Sequence, residues 1–205
     1  MIFFIIMATT SIDICARALV MIGASPISSF SDGSTEALVA SNVYTDVTEA
    51  SLTRHRWRFA TTQGSLSLLT NTPAGRYDYA YQMPTSPEVL QIISVTCNDY
   101  VIPYSRYQDY IYVNNYGSTS SLIMDYIYKV DEAYFPPHFR LALEYELAAV
   151  FAGSVARDSA MIRQFKQLAE RQFLVSKNVD SAETTTKVID TKRFINLRNS
   201  TRTDG

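Results

Sequence analysis

The sequence predicts an α+β fold: a helical bundle with an inserted antiparallel β domain and an extended C-terminal tail. Apolar residues recur at helical spacing near both ends of the 205-residue chain, whereas Ile, Val, Thr and Tyr dominate short segments in its middle. Clusters of Asn, Asp, Gly and Ser separate these short segments, as turns separate strands. We therefore assign 8–64 and 132–180 to the bundle, 65–131 to the β domain, and 181–205 to a linker and tail.

Two helices are predicted before the β domain. The first spans 12–22, where Thr10 and Asp13 have the capping-box spacing that satisfies free N–H groups of a first turn. The second spans 35–56, with Ser34 as its cap and a stripe of mostly small residues. Because small residues allow helices to approach closely, this stripe favours a tight bundle.

Tyrosine is concentrated in the predicted β domain. Twelve of the fourteen tyrosines fall between Tyr77 and Tyr134. A tyrosine has a large apolar face and a polar tip, which suits half-buried sheet surfaces and interfaces. The segment NNYGSTSS, residues 114–121, is the clearest turn of this region.

Helical spacing resumes after the FPP segment. Pro137 suits a first helical turn, because its missing N–H would have no intrahelical partner there. Gly153 ends or weakens this helix, Asp158 can cap a last helix, and the helical pattern fades beyond Lys177. Glu144 and Glu146 cannot face each other, since residues two apart point away from each other on a helix. The apolar residues of one face are Phe139, Leu143, Leu147 and Val150.

The first ten residues, MIFFIIMATT, contain an apolar run that is too short for a membrane helix and lacks the basic region of a signal peptide. Because Met7 is a second possible start, we interpret residues 1–7 as a leader or start-site extension. Cys15 and Cys97 have apolar neighbours and are expected to be buried thiols. No metal or other cofactor is expected.

Motifs that carry chemistry are absent from the sequence, which has no phosphate loop, dinucleotide fingerprint or nucleophile elbow. We expect His55 to be a solvated residue at the end of the second helix and His138 to be a surface residue at the start of the third. The only dense basic run before the tail is RHRWR, which contains Trp57. Trp57 is predicted to be a core anchor, and the alternative is a charged contact of this run with a partner subunit or DNA.

The charges are unevenly distributed along the chain, whose net charge is −2. Residues 77–134 carry seven acidic and two basic residues, whereas the stretch from Lys187 onward carries five basic and two acidic residues. An acidic, tyrosine-rich segment would repel phosphate, which argues against nucleic-acid readout.

The order and spacing of several segments resemble a phage head-to-tail adaptor of the tail tubular protein A family. The matching segments are CARALVMIGASPISSFSDGSTEALVASNVY (15–44), WRFA (57–60), YDYAYQMP (77–84) and FPPHFRLALEYELAAVFAGSVA (135–156). The final KRFINLRNS is similar to the basic, aromatic-bearing ends seen in the family, whereas the leader before Met7 has no counterpart there.

The resemblance implies a structural virion protein rather than an enzyme. The helical bundle with its inserted β domain would assemble as a twelvefold ring beneath the portal protein at the tail vertex. The ring would extend the DNA ejection channel, with DNA only as passing cargo, and would present a docking surface for a downstream tail tube, nozzle or fibre protein. The protein would reside in the neck of the virion, and in the host cytoplasm during assembly, without contact with a membrane.

The basic tail is predicted to dock on the portal. Apolar side chains next to cations are typical of segments that fold on binding, so Phe194 and Ile195 would fill a groove while Arg193 and Arg198, beside Lys192, would pair with portal carboxylates. A floppy end, or a strand packed on its own subunit, is the alternative for the tail. For the whole chain, the alternatives are a small soluble enzyme and a DNA-binding module.

Overall fold

The computed structural model describes residues 9–70, 73, 75–116 and 121–183, and it confirms the α+β fold. The helices are α1 (Ser11–Met21), α2 (Thr35–Thr53), α3 (Pro137–Ser154) and α4 (Ser159–Ala182). The strands are β1 (Thr61–Ser65), β2 (Ser67–Leu68), β3 (Tyr79–Gln82), β4 (Val89–Cys97), β5 (Tyr100–Val101), β6 (Ser105–Tyr107), β7 (Tyr110–Val113) and β8 (Leu122–Tyr128). Within the described ranges, no helix has the length and hydropathy needed to cross a membrane.

The predicted helix caps are confirmed. Thr10 Oγ1 accepts a hydrogen bond from the Asp13 N–H at 3.2 Å, and Asp13 Oδ2 accepts one from the Thr10 N–H at 2.9 Å, which completes the capping box of α1. Ser34 caps α2, and Asp158 caps α4 through the backbone N–H groups of its first turn. These bonds fix where three of the helices begin.

Helix α3 is the centre of the bundle, because α1, α2 and α4 all pack against it. Small side chains on α3 let the neighbouring helices approach closely. They are Ala142, Ala148, Ala149 and Ala152, all buried. Helix α3 ends at Ser154, one residue after Gly153, where the sequence predicts that the helix ends or weakens.

The other helix ends differ from the sequence prediction at two places. Helix α2 ends at Thr53 rather than at 56, because the chain turns back after it and buries Trp57. Helix α4 extends beyond Lys177 to Ala182. Its last turns are held by the buried polar residues Ser176 and Asp180, which an apolar pattern does not reveal.

The β domain consists of two antiparallel sheets with the strand orders β1-β8-β4-β5 and β2-β3-β7-β6. The chain passes from one sheet to the other through Leu66, between β1 and β2, and through 102–104, between β5 and β6. The two sheets enclose one shared core and pack face to face as a β-sandwich, here called the barrel, and the chain crosses between them at both edges. Asn98 and Asp99 both have positive φ values, of 50° and 68°, in the tight β4–β5 hairpin.

Strand β8 belongs to the cores of both units. Met124 and Tyr126 are buried in the barrel, whereas Ile127 is buried with the helices. Strand β1 pairs with β8 from Thr61 to Ser65, so β structure begins four residues before the predicted boundary at 65. The two units thus share a strand rather than meeting at a linker.

Candidate interaction surfaces

Trp57, the predicted core anchor, is fully buried where α2, α3 and α4 meet. Its indole Nε1 donates a hydrogen bond to the Ser51 carbonyl oxygen at 3.0 Å. Its ring meets Phe139 of α3 edge-on at a centroid distance of 5.1 Å and lies 6.4 Å from the ring of Phe173 on α4. The indole therefore connects three helices through both its polar atom and its ring.

His55 is not the solvated helix-end residue that the sequence predicts. Its Nε2 lies 3.4 Å from Oδ2 of the buried Asp180, and its ring meets Trp57 edge-on at 4.8 Å. Asp180 Oδ1 also accepts a hydrogen bond from the Arg58 backbone N–H at 3.0 Å. Because α2 ends at Thr53, the turn that follows packs onto the end of α4 instead of extending into solvent.

His138 lies at the start of α3, as predicted, but it is half-buried rather than exposed on the surface. Its carbonyl oxygen accepts hydrogen bonds from Ser176 Oγ at 2.7 Å and from Gln172 Nε2 at 3.3 Å, so α4 packs over the start of α3. The His138 Nε2 atom is buried, and it has no hydrogen-bond partner among the described residues.

The two buried glutamates of α3 point to different helices, as their spacing predicts. Glu144 Oε1 accepts a hydrogen bond from Arg17 Nη1 of α1 at 3.3 Å. Glu146 Oε1 accepts one from Lys166 Nζ of α4 at 2.8 Å and lies 3.5 Å from Arg54 Nη2. Residues two apart are separated by about 200° around a helix axis. Helices α1 and α4 therefore flank α3 on opposite sides.

A groove of about 380 Å³, here called the α1 groove, lies beside the Arg17–Glu144 pair. Its lining is mostly apolar, and Val20 is 58% exposed at its rim. Burial raises the pKa of Glu144 above its ordinary value, although Arg17 acts in the opposite direction. The groove is lined by Ala16, Arg17, Val20, Met21, Pro26 and Glu144.

Three apolar side chains near the end of α4 are exposed, and we call them the α4 patch. Leu174 is 62% exposed, Val175 50% and Val179 41%. They lie off the face that packs on α3, whose buried members are Phe165, Ala169, Phe173, Ser176 and Asp180. The sequence analysis missed this patch, although these apolar residues fall outside the helical spacing of the core face.

The outer face of the second sheet of the β domain carries a tyrosine cluster, here called the tyrosine face. Ile111 and Val113 of β7 point into the barrel, so Tyr112 between them points outward. Its ring lies 5.6 Å from Tyr77 and 5.4 Å from Tyr107, which is 49% exposed.

Polar contacts hold the tyrosine face in place. Tyr77 donates its hydroxyl proton to Ser105 Oγ at 2.6 Å, and the Arg76 guanidinium lies over the Tyr77 ring at 5.2 Å. Two shallow cavities, of about 370 and 300 Å³, share Tyr77 and Tyr112 as walls. Packed tyrosines with fixed rings and polar tips can bind a partner at low entropic cost.

The remaining predicted site residues are those of the docking tail. Lys192, Arg193, Phe194, Ile195 and Arg198 lie outside the described residues, as does the leader at 1–7. Cys15 and Cys97 are buried free thiols. Among the described residues, no group of three His, Cys, Asp or Glu side chains is placed to hold a metal ion.

Comparison with known proteins gives no assignment: no protein-family model matches the chain, and no curated protein matches it significantly.

Proposed function

We propose that this protein is a structural virion component, a head-to-tail adaptor that forms a ring between the portal and the tail. The observation that carries the proposal is the presence of exposed contact surfaces on both units. The bundle has the α4 patch and the α1 groove, and the β domain has the tyrosine face. The fold class, a helical bundle with an inserted β domain, is also the one that the resemblance to phage adaptors implies.

The two units would have different tasks in the adaptor. The bundle would pack beside its neighbours in a twelvefold ring under the portal. The tyrosine face would bind the downstream tail protein, because clustered tyrosines are favoured anchors in interfaces. The seven acidic and two basic residues between 77 and 134 suit a wall past which DNA slides without binding.

The ring would close only on the portal. Stable interfaces bury about 1,200–2,000 Å² in total, whereas the exposed large apolar side chains of the described residues are spread over several helices, strands and turns. The portal would hold neighbouring copies at a high effective concentration and so add to each weak contact. We therefore expect purified protein at micromolar concentration to be monomeric or weakly associated.

The direct test is binding to capsids. Purified protein is mixed with tailless, portal-bearing capsids of a phage that encodes it, and the particles are examined by negative-stain electron microscopy. A new ring at the portal vertex is expected, and capsids without a portal are the control. If portal-bearing capsids acquire no ring at saturating protein, the adaptor function is wrong.

A truncated chain tests the role of the tail. Deletion of 187–205 is expected to leave the melting temperature nearly unchanged and to abolish attachment to portal-bearing capsids. Normal occupancy of the truncated protein under the portal would contradict docking through Phe194, Ile195, Arg193 and Arg198. Tight, steeply salt-dependent binding to duplex DNA would instead favour a DNA-binding module.

A further inference from the structure

The RHRWR run is held against α4 at the end of the bundle where α2 stops. Arg54, Arg56 and Arg58 are exposed, whereas His55 and Trp57 between them pack onto α4. Because the two inward residues hold the backbone of this turn, the three arginines have a fixed position next to the last turns of α4.

A fourth cation, on α4 itself, lies on the same side. The Arg54 guanidinium lies over the Phe173 ring at 4.5 Å, and His55 contacts Asp180. Lys177 is four residues after Phe173 and three residues before Asp180, so these three residues follow one side of the helix. We call this group of cations the basic end, and it consists of Arg54, Arg56, Arg58 and Lys177.

The buried carboxylates near the basic end already have partners inside the bundle. Glu146 Oε1 lies 2.8 Å from Lys166 Nζ and 3.5 Å from Arg54 Nη2, so two cations share it. Asp180 Oδ2 lies 3.4 Å from His55 Nε2. Neither carboxylate is therefore available to neutralise the outer cations.

The outer cations have no ion-pair partner of their own. In the part of the chain that the structure describes, no carboxylate lies within ion-pair distance of Arg56 or Lys177. The exposed glutamates before and after Lys177, Glu170 and Glu183, are each about two helical turns away along the chain. The basic end therefore presents positive charge that an acidic partner can neutralise.

An exposed apolar side chain adjoins these cations. Leu174, which is 62% exposed, has Arg171 about one turn before it and Lys177 about one turn after it. A DNA backbone offers phosphates but few apolar groups to cover such a leucine, whereas a protein surface offers both carboxylates and apolar side chains. The composition of this surface therefore favours an acidic protein over nucleic acid.

The C-terminal segment of the chain does not have the charge of the missing partner. Helix α4 ends at Ala182, and the stretch from Lys187 onward carries five basic and two acidic residues. Since like charges repel, this stretch adds to the positive charge at this end of the bundle instead of neutralising it.

We propose that the basic end binds an acidic surface of a partner protein, and that this partner is the portal, an assignment that rests on the adaptor function proposed above. The tail that we expect to dock on the portal follows α4 at the same end of the bundle, so both would meet one partner. The Arg56 guanidinium can bind a carboxylate through two parallel N–H donors, and Leu174 would be covered in the same interface.

Binding of an oligoglutamate peptide tests the basic end without a capsid. The full chain is titrated into the fluorescein-labelled peptide, and fluorescence anisotropy is measured at low and at high salt. The wild type is expected to bind, and salt should weaken the binding because it screens exposed charges. Arg56→Glu/Lys177→Glu should weaken it roughly tenfold or more, because like charges would then face each other.

Matched variants separate the position of the charges from their number. Arg157→Glu/Arg163→Glu changes the net charge equally and should bind nearly as well as the wild type. Arg163 is about 20 Å along α4 from Lys177, beyond the Debye length of about 10 Å at 0.1 M salt. Arg56→Lys/Lys177→Arg keeps both charges and should also bind. The tail is common to all variants, and thermal melting followed by circular dichroism shows whether each is folded.

The same variants are tested on portal-bearing capsids, where the charge-reversed variant should need more protein to form a ring and the matched control should not. Equal loss of peptide binding in both variants, or none in either, would overturn the proposal. Duplex DNA that binds more tightly than the peptide, and is lost in the charge-reversed variant, would also overturn it. Peptide binding at the basic end without any ring would refute the adaptor function alone. A normal ring from the charge-reversed variant would refute the portal as the acidic partner.

Discussion

The bundle and the β domain bury their side chains in different ways. The bundle depends on a few large aromatic residues at one junction, where Trp57 and Phe139 meet, and on carboxylates paired across helices. The barrel depends on strand pairing around a small core of aliphatic residues and tyrosines such as Ile111 and Tyr126. One unit therefore concentrates its buried contacts at a junction of helices, and the other distributes them over the paired strands of two sheets.

The difference also extends to the surfaces. Three tyrosines of the barrel, Tyr77, Tyr107 and Tyr112, form an ordered cluster on its surface, whereas the exposed apolar residues of helices α1, α2 and α4 are aliphatic. A rigid aromatic face suits a specific partner. Small aliphatic patches suit a weak contact that many identical neighbours repeat.

The largest effect on stability is expected from a substitution that disrupts the junction where Trp57 and Phe139 meet. Trp57→Ala should lower the free energy of unfolding by roughly 3–5 kcal/mol, because it leaves a cavity between three helices and removes the bond to Ser51. Urea unfolding is followed by far-UV circular dichroism, since Trp57 is the only tryptophan. Trp57→Phe keeps an aromatic ring and should cost less. An unchanged unfolding midpoint for Trp57→Ala would contradict the anchoring role.

The next effect tests whether the units are thermodynamically separate. Ile111→Ala should cost roughly 2–4 kcal/mol through cavity formation in the barrel. Because β8 contributes to both cores, we expect the fluorescence of Trp57 in the bundle and the circular dichroism signal to shift together. Ile123→Ala, at a 38% exposed position of β8, is the matched control. A fluorescence midpoint that does not move would show that the units unfold independently.

The same contrast explains which parts of the fold are predictable from the sequence. The helices are predictable because caps such as Thr10, Ser34 and Asp158 are local signals. The division of the strands into two sheets is not, because Leu66 has the sequence character of one more strand residue although the chain changes sheets there. Strand order depends on pairings far apart in the sequence, and short-range periodicity contains no information about them.

The candidate surfaces are predictable to different degrees. The enrichment of tyrosine predicts a half-buried sheet face, and Tyr112 lies on one. The contact between His55 and Asp180 could not be predicted from local patterns, because the two residues are 125 positions apart along the chain. The α4 patch becomes visible only when the core face of that helix is known.

A stabilising effect is expected where the bundle tolerates backbone strain. Arg157, in the turn between α3 and α4, has a φ of +53°. This backbone angle is unfavourable for any residue that has a Cβ atom. Arg157→Gly should raise the free energy of unfolding by about 1 kcal/mol. Arg157→Ala removes the charge but keeps the Cβ and should give no such gain. In the barrel, Asn98 and Asp99 adopt similar φ values at lower cost. Equal stability of the Gly and Ala variants in urea titrations would show that Arg157 is not strained.

The smallest effect is expected at Glu144, because burial and the cation Arg17 act on it in opposite directions. Burial is the larger influence, so the folded-state pKa lies above the ordinary value of 4.5. Between these two pKa values the folded chain binds more protons than the unfolded chain, and stability therefore falls as pH rises through this window. Glu144→Gln cannot ionise and should gain stability relative to the wild type as pH is raised from about 4 to about 7.

Removing the cation gives the opposite control for this carboxyl. Arg17→Met deletes the nearest charge that favours the ionised form, so the fall in stability with rising pH should become steeper than in the wild type. Urea unfolding at a series of pH values measures both slopes. If the difference in unfolding free energy between Glu144→Gln and the wild type stays constant across this range, burial does not destabilise the ionised form of Glu144. The bundle would then tolerate a charge next to the α1 groove as well as the barrel tolerates one on its surface.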